Sequence, residues 1–353
     1  MSHLNRILWC LGTIAVILMP VQALADPPSF SLAWSEYPSW SVFGVAHEVK
    51  LIDGHKGKLG PIEKKWNVDI VLREADYDSC ITMYGSGAVD AAALTNMDSL
   101  NPALTRPTVA ILPTSTSFGA DALIVPKDIT SVTQLKGKKV YGLAKTVSEY
   151  MFVRNLQKLG EKETDYTFTN MDPQAAALAM QQKRRGYDAI AVWNPFVLDT
   201  LEKRKDTRVL FDSTSIPGEI IDMIVMSKKS LDKPGGKRFA KAVIDTFYAI
   251  NQRMTDPATA DDTLIAIGEK FSNLGLQSMR KVVQQTRFYS TPEQGIALFT
   301  GDSLVQTMRT VTQFCVSHDI VPKKPSVSYG AGGTAALRFD PSYMQAVKKR
   351  NGD

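Results

Sequence analysis

Two stretches, "GAVDAAALTNMDSL" (87–100) and "RGYDAIAVWNPFVL" (185–198), decide how this chain folds, because they read alike. Each has a glycine, then an aspartate, then a run of small apolar residues that ends in polar side chains. A strand buried on both faces leaves such a continuous apolar run. The surroundings repeat too. In the first copy "SFSLAW" (29–34) predicts a strand, "SVFGVAHEVKLI" (41–52) a helix, "DIVLREA" (69–75) a strand and "DSCITMYGSG" (78–87) a helix stopped by glycine. In the second, "GKKVYGLA" (137–144) predicts a strand, "TVSEYMFVRNLQKLG" (146–160) a helix, "YTFTN" (166–170) a strand and residues 173–183 a helix. This alternation predicts an α/β protein, and its doubling predicts two lobes. Ligands of open α/β sheets bind outside the carboxyl ends of the strands. The polar residues that close the two apolar runs therefore face a cleft.

Further strands are predicted in "TVAILPTS" and "ADALIVPKD" around a glycine turn, and the last clear ones are "RVLFDS" and "IDMIVMS". From about Leu231 onward the periodicity is mostly helical. "DGHKGKLG" (53–60) lacks the residue order of a phosphate-binding loop and reads as a solvent-exposed turn.

The chain has 353 residues, 44% of them hydrophobic, and a formal charge of +5. That is ordinary globular composition, and the mild positive excess is spread along the chain, which does not suit a nucleic-acid partner. Arg6, the apolar run 7–20 and "ALA" (23–25) predict a cleavable signal peptide over residues 1–25 and a periplasmic product. Trp9 before Cys10 disfavours lipid anchoring, and no later apolar run approaches the ~20 residues of a membrane span. An exported compartment permits a disulfide between Cys80 and Cys315, with buried free thiols as the default expectation. His47, His55 and His318 show no metal-ligand spacing, so neither a metal nor a cofactor is expected.

At this point a resemblance enters. "LKGKKVYGLAKTVSEYMFVRNLQKLG" (135–160), "MDPQAAALAMQQKRRGYDAIAVWNPF" (171–196) and the two copies in register resemble the periplasmic solute-binding proteins of ABC importers, in the superfamily that binds nitrate, sulfonates, taurine or thiamine precursors. The resemblance covers residues 29–230, with a weaker helical match beyond. "LTNMDSL" (94–100), "VWNPF" (192–196) and "FDSTSIPGEIIDMIV" (211–225) are similar to the branch found with urea-carboxylase systems. It implies a type II periplasmic-binding-protein fold, each lobe a mixed sheet flanked by helices, with the ligand cleft between lobes. One lobe would hold residues 29–127 with 222–353, the other 128–221, and two chain crossings would form the hinge. It also implies a monomer that closes on a small molecule and delivers it to a membrane permease, the ligand being urea, guanidine or a related compound. Glu36 and Glu149 depart from that branch's pattern as added negative charges.

Candidate ligand residues come from strand ends. "AWSEYPSW" (33–40) supplies Trp34, Glu36, Tyr37 and Trp40, and the first apolar run supplies Thr95, Asn96 and Asp98. Thr146, Ser148 and Glu149 lie at a helix start, Trp193 and Asn194 close the second run, and Glu219 and Asp222 sit near the return crossing. Each has a plainer reading. Trp34 and Trp40 suit a core, Asp98 and Thr146 suit helix caps, and Glu219 and Asp222 suit hinge acceptors. The set is rich in carboxylates and rings and poor in arginine. A planar cation wants carboxylates in its plane and rings above it, whereas an anion wants guanidinium forks or free backbone N–H groups. Guanidinium fits best. Lys145 beside Thr146 keeps a taurine, alkylsulfonate or thiamine-precursor binder as the alternative. No nucleophile elbow or Cys–His pair is found, so a binder is expected rather than an enzyme.

Overall fold

The apolar runs become the central strands of two mixed sheets in the computed structural model, which describes residues 26–270 and 274–352. The expected signal peptide, 1–25, lies outside the described residues. The chain first lays down β1 (Ser29–Trp34), β2 (Asp69–Glu74), β3 (Ala91–Thr95) and β4 (Thr108–Ser117). It then builds β5 (Asp121–Pro126), β6 (Lys139–Gly142), β7 (Thr167–Asn170), β8 (Ile190–Trp193) and β9 (Thr207–Asp212) as a second sheet. Finally it returns with β10 (Ile221–Ser227), β11 (Thr286–Phe288), β12 (Val327–Tyr329) and β13 (Leu337–Phe339).

Strand order in the larger sheet is β12-β13-β4-β10-β3-β1-β2, with β11 also on β4, and in the smaller sheet β7-β6-β8-β5-β9. The duplication is visible in the pairing. β2-β1-β3 run parallel and meet an antiparallel β10, which pairs antiparallel with β4. Likewise β7-β6-β8 run parallel and meet an antiparallel β5, which pairs antiparallel with β9. β3 and β8, the two quoted runs, hold the same place. In each sheet the antiparallel strand is the one that has just arrived from the other lobe.

The expectations needed two corrections. β5 belongs to the smaller sheet, so the outward crossing is at 118–120 and not after residue 127. Beyond residue 231, where the periodicity is mostly helical, the chain also contributes β11, β12 and β13; at three residues each they are too short for alternation to show.

Burial follows the pattern of each element. Ala91–Thr95 and Ile190–Trp193 are buried throughout. Helix Gly236–Thr255 turns Phe239, Val243, Phe247 and Ile250, all fully buried, toward the larger lobe's core at the spacing of one helix face. Cys80 and Cys315 are buried free thiols, and burial pushes both up to about 12.

Gly142 ends β6 beside β8. A Cβ there would lie 2.5 Å from the Ala191 carbonyl oxygen and 2.8 Å from the Phe168 ring. Backbone cannot yield as a side chain does, so Gly142→Ala is expected to cost about 1–3 kcal/mol in urea unfolding.

Candidate functional site

Strand ends converge between the lobes on a small inner chamber. The turn after β1 supplies Tyr37 and Trp40, the end of β3 Thr95, the starts of β5 and β10 Asp121 and Asp222, and the end of β8 Trp193. Tyr77 and Val147 reach it from the first turns of helices Tyr77–Ser86 and Val147–Lys158. The rings form a chain: Tyr37 lies 4.9 Å from Trp40, Trp40 stacks on Tyr77 at 5.3 Å, and Trp193 meets Tyr77 edge-on at 5.7 Å. In this closed arrangement only about 10 Å³ is free, enough for roughly one water. Any larger guest must enter with the lobes parted.

Three buried carboxyls surround the chamber. Asp222 accepts a hydrogen bond from Ser115 Oγ at 2.5 Å, yet burial, then the charges of Asp121 and Asp98, push its carboxyl well above the usual range. Burial raises Asp121 to about 7, with Asp98 and Asp212 adding to it against a hydrogen bond with Ser117. Asp98, behind the wall, is raised to about 6 by burial, despite bonds from Tyr77 Oη (2.7 Å) and Thr95 Oγ1 (2.8 Å) and the nearby Val147 amide, which lower it. The Val147 amide belongs to the first turn of its helix, so a carboxyl already lies beside that helix start. Tyr37 Oη, Trp40 Nε1 and Thr286 Oγ1 are buried without a hydrogen-bond partner. Tyr37 Oη meets no bonding geometry, but Asp222 is near enough to help raise its phenol after burial has done so.

An outer pocket of about 380 Å³ opens beyond Tyr77 and Trp193, which line both spaces. Glu36, Glu74, Asp76 and Asp78 face it from the larger lobe and Asp172 from the smaller. Burial pushes Glu36 up to about 7, followed by the charges of Glu74 and Asp172. Among the described residues no lysine, arginine or histidine lines either space. Among the described residues no three His, Cys, Asp or Glu side chains are grouped to hold a metal ion.

Of the residues predicted from sequence, Tyr37, Trp40, Thr95, Trp193 and Asp222 come together around the chamber, Asp98 backs it and Glu36 lines the outer pocket. Others are placed elsewhere. Trp34 is core: its ring packs on Gly44, where an added Cβ would lie 2.8 Å from it. Asn96 ties the return crossing, donating to Glu219 O at 3.0 Å and accepting from Ile221 N at 3.1 Å. Asn194 donates to Gln285 Oε1 at 2.9 Å, behind the ring of Trp193. Thr146 caps its helix, Ser148 is buried off the chamber wall, and Glu149 accepts from Lys145 N at 2.5 Å and faces a separate hollow. Glu219 is held by Arg154 through bonds of 2.8 and 2.9 Å and by Tyr150 Oη, and Arg154 helps keep its carboxyl low despite burial. Lys145 is exposed and donates to the Asp319 carbonyl at 3.3 Å. Sequence reading missed Tyr77, Asp121 and the acids of the outer pocket other than Glu36. The strand-end rule, applied to "READYD" (73–78), would have found Glu74, Asp76, Tyr77 and Asp78.

No family model and no curated protein matches the sequence. Solved structures do match in fold. The periplasmic aliphatic sulphonate-binding protein of Escherichia coli superposes with a TM-score of 0.63 at 18% identity, over 84% of this chain and 89% of that one. The alkanesulfonate-binding protein of Xanthomonas axonopodis, bound to MOPS, gives 0.67 at 15% identity over 85% and 96%. The periplasmic nitrate-binding protein of Synechocystis gives 0.55 at 13% over 91% and 97%. At such identities the likeness is one of fold, and that fold is the two-lobed one of periplasmic binding proteins.

Proposed function

We propose that this chain is the periplasmic substrate-binding protein of an ABC importer, and that its ligand is a small planar organic cation, guanidinium foremost. The reading rests on one observation above all: Asp121, Asp222 and the rings of Tyr37, Trp40, Tyr77 and Trp193 enclose a chamber that no basic side chain lines. Buried carboxyls without a counter-charge are costly unless protonated, and a cation restores the balance. Guanidinium offers N–H donors around its edge for the carboxylates and a flat face for the rings. The chamber as it stands has room for about one water, so guanidinium would sit there with the lobes somewhat further apart. The crossings at 118–120 and 216–220 would act as the hinge, and the closed monomer would be what a membrane permease recognises.

The sulfonate- and nitrate-binding neighbours favour a second reading, an anion. Here it meets two obstacles: Asp98 already places a carboxyl beside the helix start at Val147, and Lys145 lies on the Asp319 carbonyl. Urea is a third guest, served only while Asp121 and Asp222 stay protonated.

Thermal unfolding with low-millimolar guanidinium, urea, methylamine, taurine or an alkylsulfonate tests these readings. Guanidinium at a hundred times its Kd is expected to stabilise the protein by about 2.7 kcal/mol. A shift with taurine or the alkylsulfonate alone would overturn the cation reading.

A further inference from the structure

Away from the chamber, helix Asp302–Ser317 ends at His318, which meets the smaller lobe. The imidazole stacks on Phe314 with centroids 3.8 Å apart. Its Nδ1 lies 2.9 Å from the Phe314 carbonyl oxygen and 3.0 Å from Ser317 Oγ, and that hydroxyl donates to the same carbonyl. Nδ1 therefore faces acceptors and must carry a hydrogen. Nε2 lies 3.0 and 3.1 Å from the two carboxylate oxygens of Glu163, which are acceptors as well. A neutral imidazole has one N–H and leaves one side unmet, whereas imidazolium meets both. Glu163 begins the short turn that leads into β7, so the bridging proton sits between the lobes.

We propose that His318 and Glu163 form a proton-dependent latch between the lobes, the charged ring favouring the closed arrangement and its deprotonation releasing it. The latch rests on the reading of the chain as a binder that closes, and not on the identity of the ligand. Other charged groups near the ring are Glu149, across the same hollow on helix Val147–Lys158, Asp319 beside it in the chain, and Lys145 on the Asp319 carbonyl. Arg154 of that helix is engaged by Glu219. His318 and Glu163 keep 17% and 42% of their side-chain surface exposed. Such a pair is modest in strength and screened by salt, which suits a contact that must release at every cycle.

The test is the open-to-closed ratio of the ligand-free protein. Spin labels at the exposed positions Lys64→Cys and Asp128→Cys, one on each lobe, report it. Between pH 6 and pH 9 the ratio is expected to rise roughly two- to fivefold. Glu163→Gln can still bond a neutral His318 through its amide but has no charge to lose, and is expected to flatten much of that response. His318→Arg, charged at both pH values, should stay closed-favouring throughout. A ratio that does not move with pH, or moves as much in Glu163→Gln as in the parent, overturns the latch. Guanidinium added to the same samples reports separately: its failure to close the protein at any pH would sink the ligand reading and leave the latch standing.

Discussion

Asp222→Asn is expected to weaken guanidinium binding by roughly 100-fold or more, and to raise the melting temperature of the empty protein. The substitution keeps size and an oxygen to accept from Ser115 Oγ. What it removes is negative charge, which leaves Asp121 as the remaining carboxyl on the chamber wall. The bound cation loses a buried counter-charge and faces an amide N–H₂ whose donors it cannot accept. Stability moves the other way. In the unfolded chain at neutral pH Asp222 is ionised, and on folding it must either be buried as an anion beside Asp121 and Asp98 or take up a proton. Asparagine does neither, and a gain of about 1 kcal/mol shifts the melting temperature by a few degrees in a chain of this size. Calorimetric titration and thermal unfolding measure the two effects. Undiminished affinity in the variant would show that the chamber does not hold the cation.

That pairing of lost binding with gained stability marks a side chain kept for a ligand, and few such side chains could be recognised from sequence alone. The architecture was legible because β3 and β8 are buried on both faces, which leaves a continuous apolar signal with acids and rings only at the ends. Trp193 stood out because it ends β8, Tyr37 and Trp40 because they follow β1, and Asp222 because it lies at the start of β10. Glu219 stands there too, but its charge is answered by Arg154, 65 residues earlier, and nothing local announces that pair. Trp34 and Trp40 share one aromatic stretch, yet Trp34 still belongs to the strand and turns to Gly44, while Trp40 lies in the turn that follows. Asp121 was invisible for the opposite reason. An acid before an apolar strand reads as a turn residue, and only the pairing of β5 with β8 sets it opposite Trp193.

The same carboxyls make binding and stability depend on pH with opposite signs. Asp121 and Glu36 are raised to about 7 and Asp98 to about 6, against roughly 4 in an unfolded chain. Between those values the folded empty protein holds more protons than the unfolded one, so these groups contribute stability at low pH that is lost as pH rises through about 7. A cation needs the ionised form. At pH 5.5 it must displace a proton from a group that titrates near 7, and one such group lowers affinity by roughly 30-fold relative to pH 8.5. Through that group guanidinium affinity is therefore expected to rise about that much from pH 5.5 to 8.5, less what the latch takes back, while the empty protein's melting temperature falls. Titration in buffers of different ionisation enthalpy should show protons released on binding at the lower pH. Urea would release none, so a pH-independent Kd would identify a neutral guest. In Glu163→Gln, where the interlobe contact no longer loses a charge, the full rise should be reached near pH 8 and held. In the native protein release of the latch offsets part of it, and the difference between the two profiles separates the chamber's protons from the latch's.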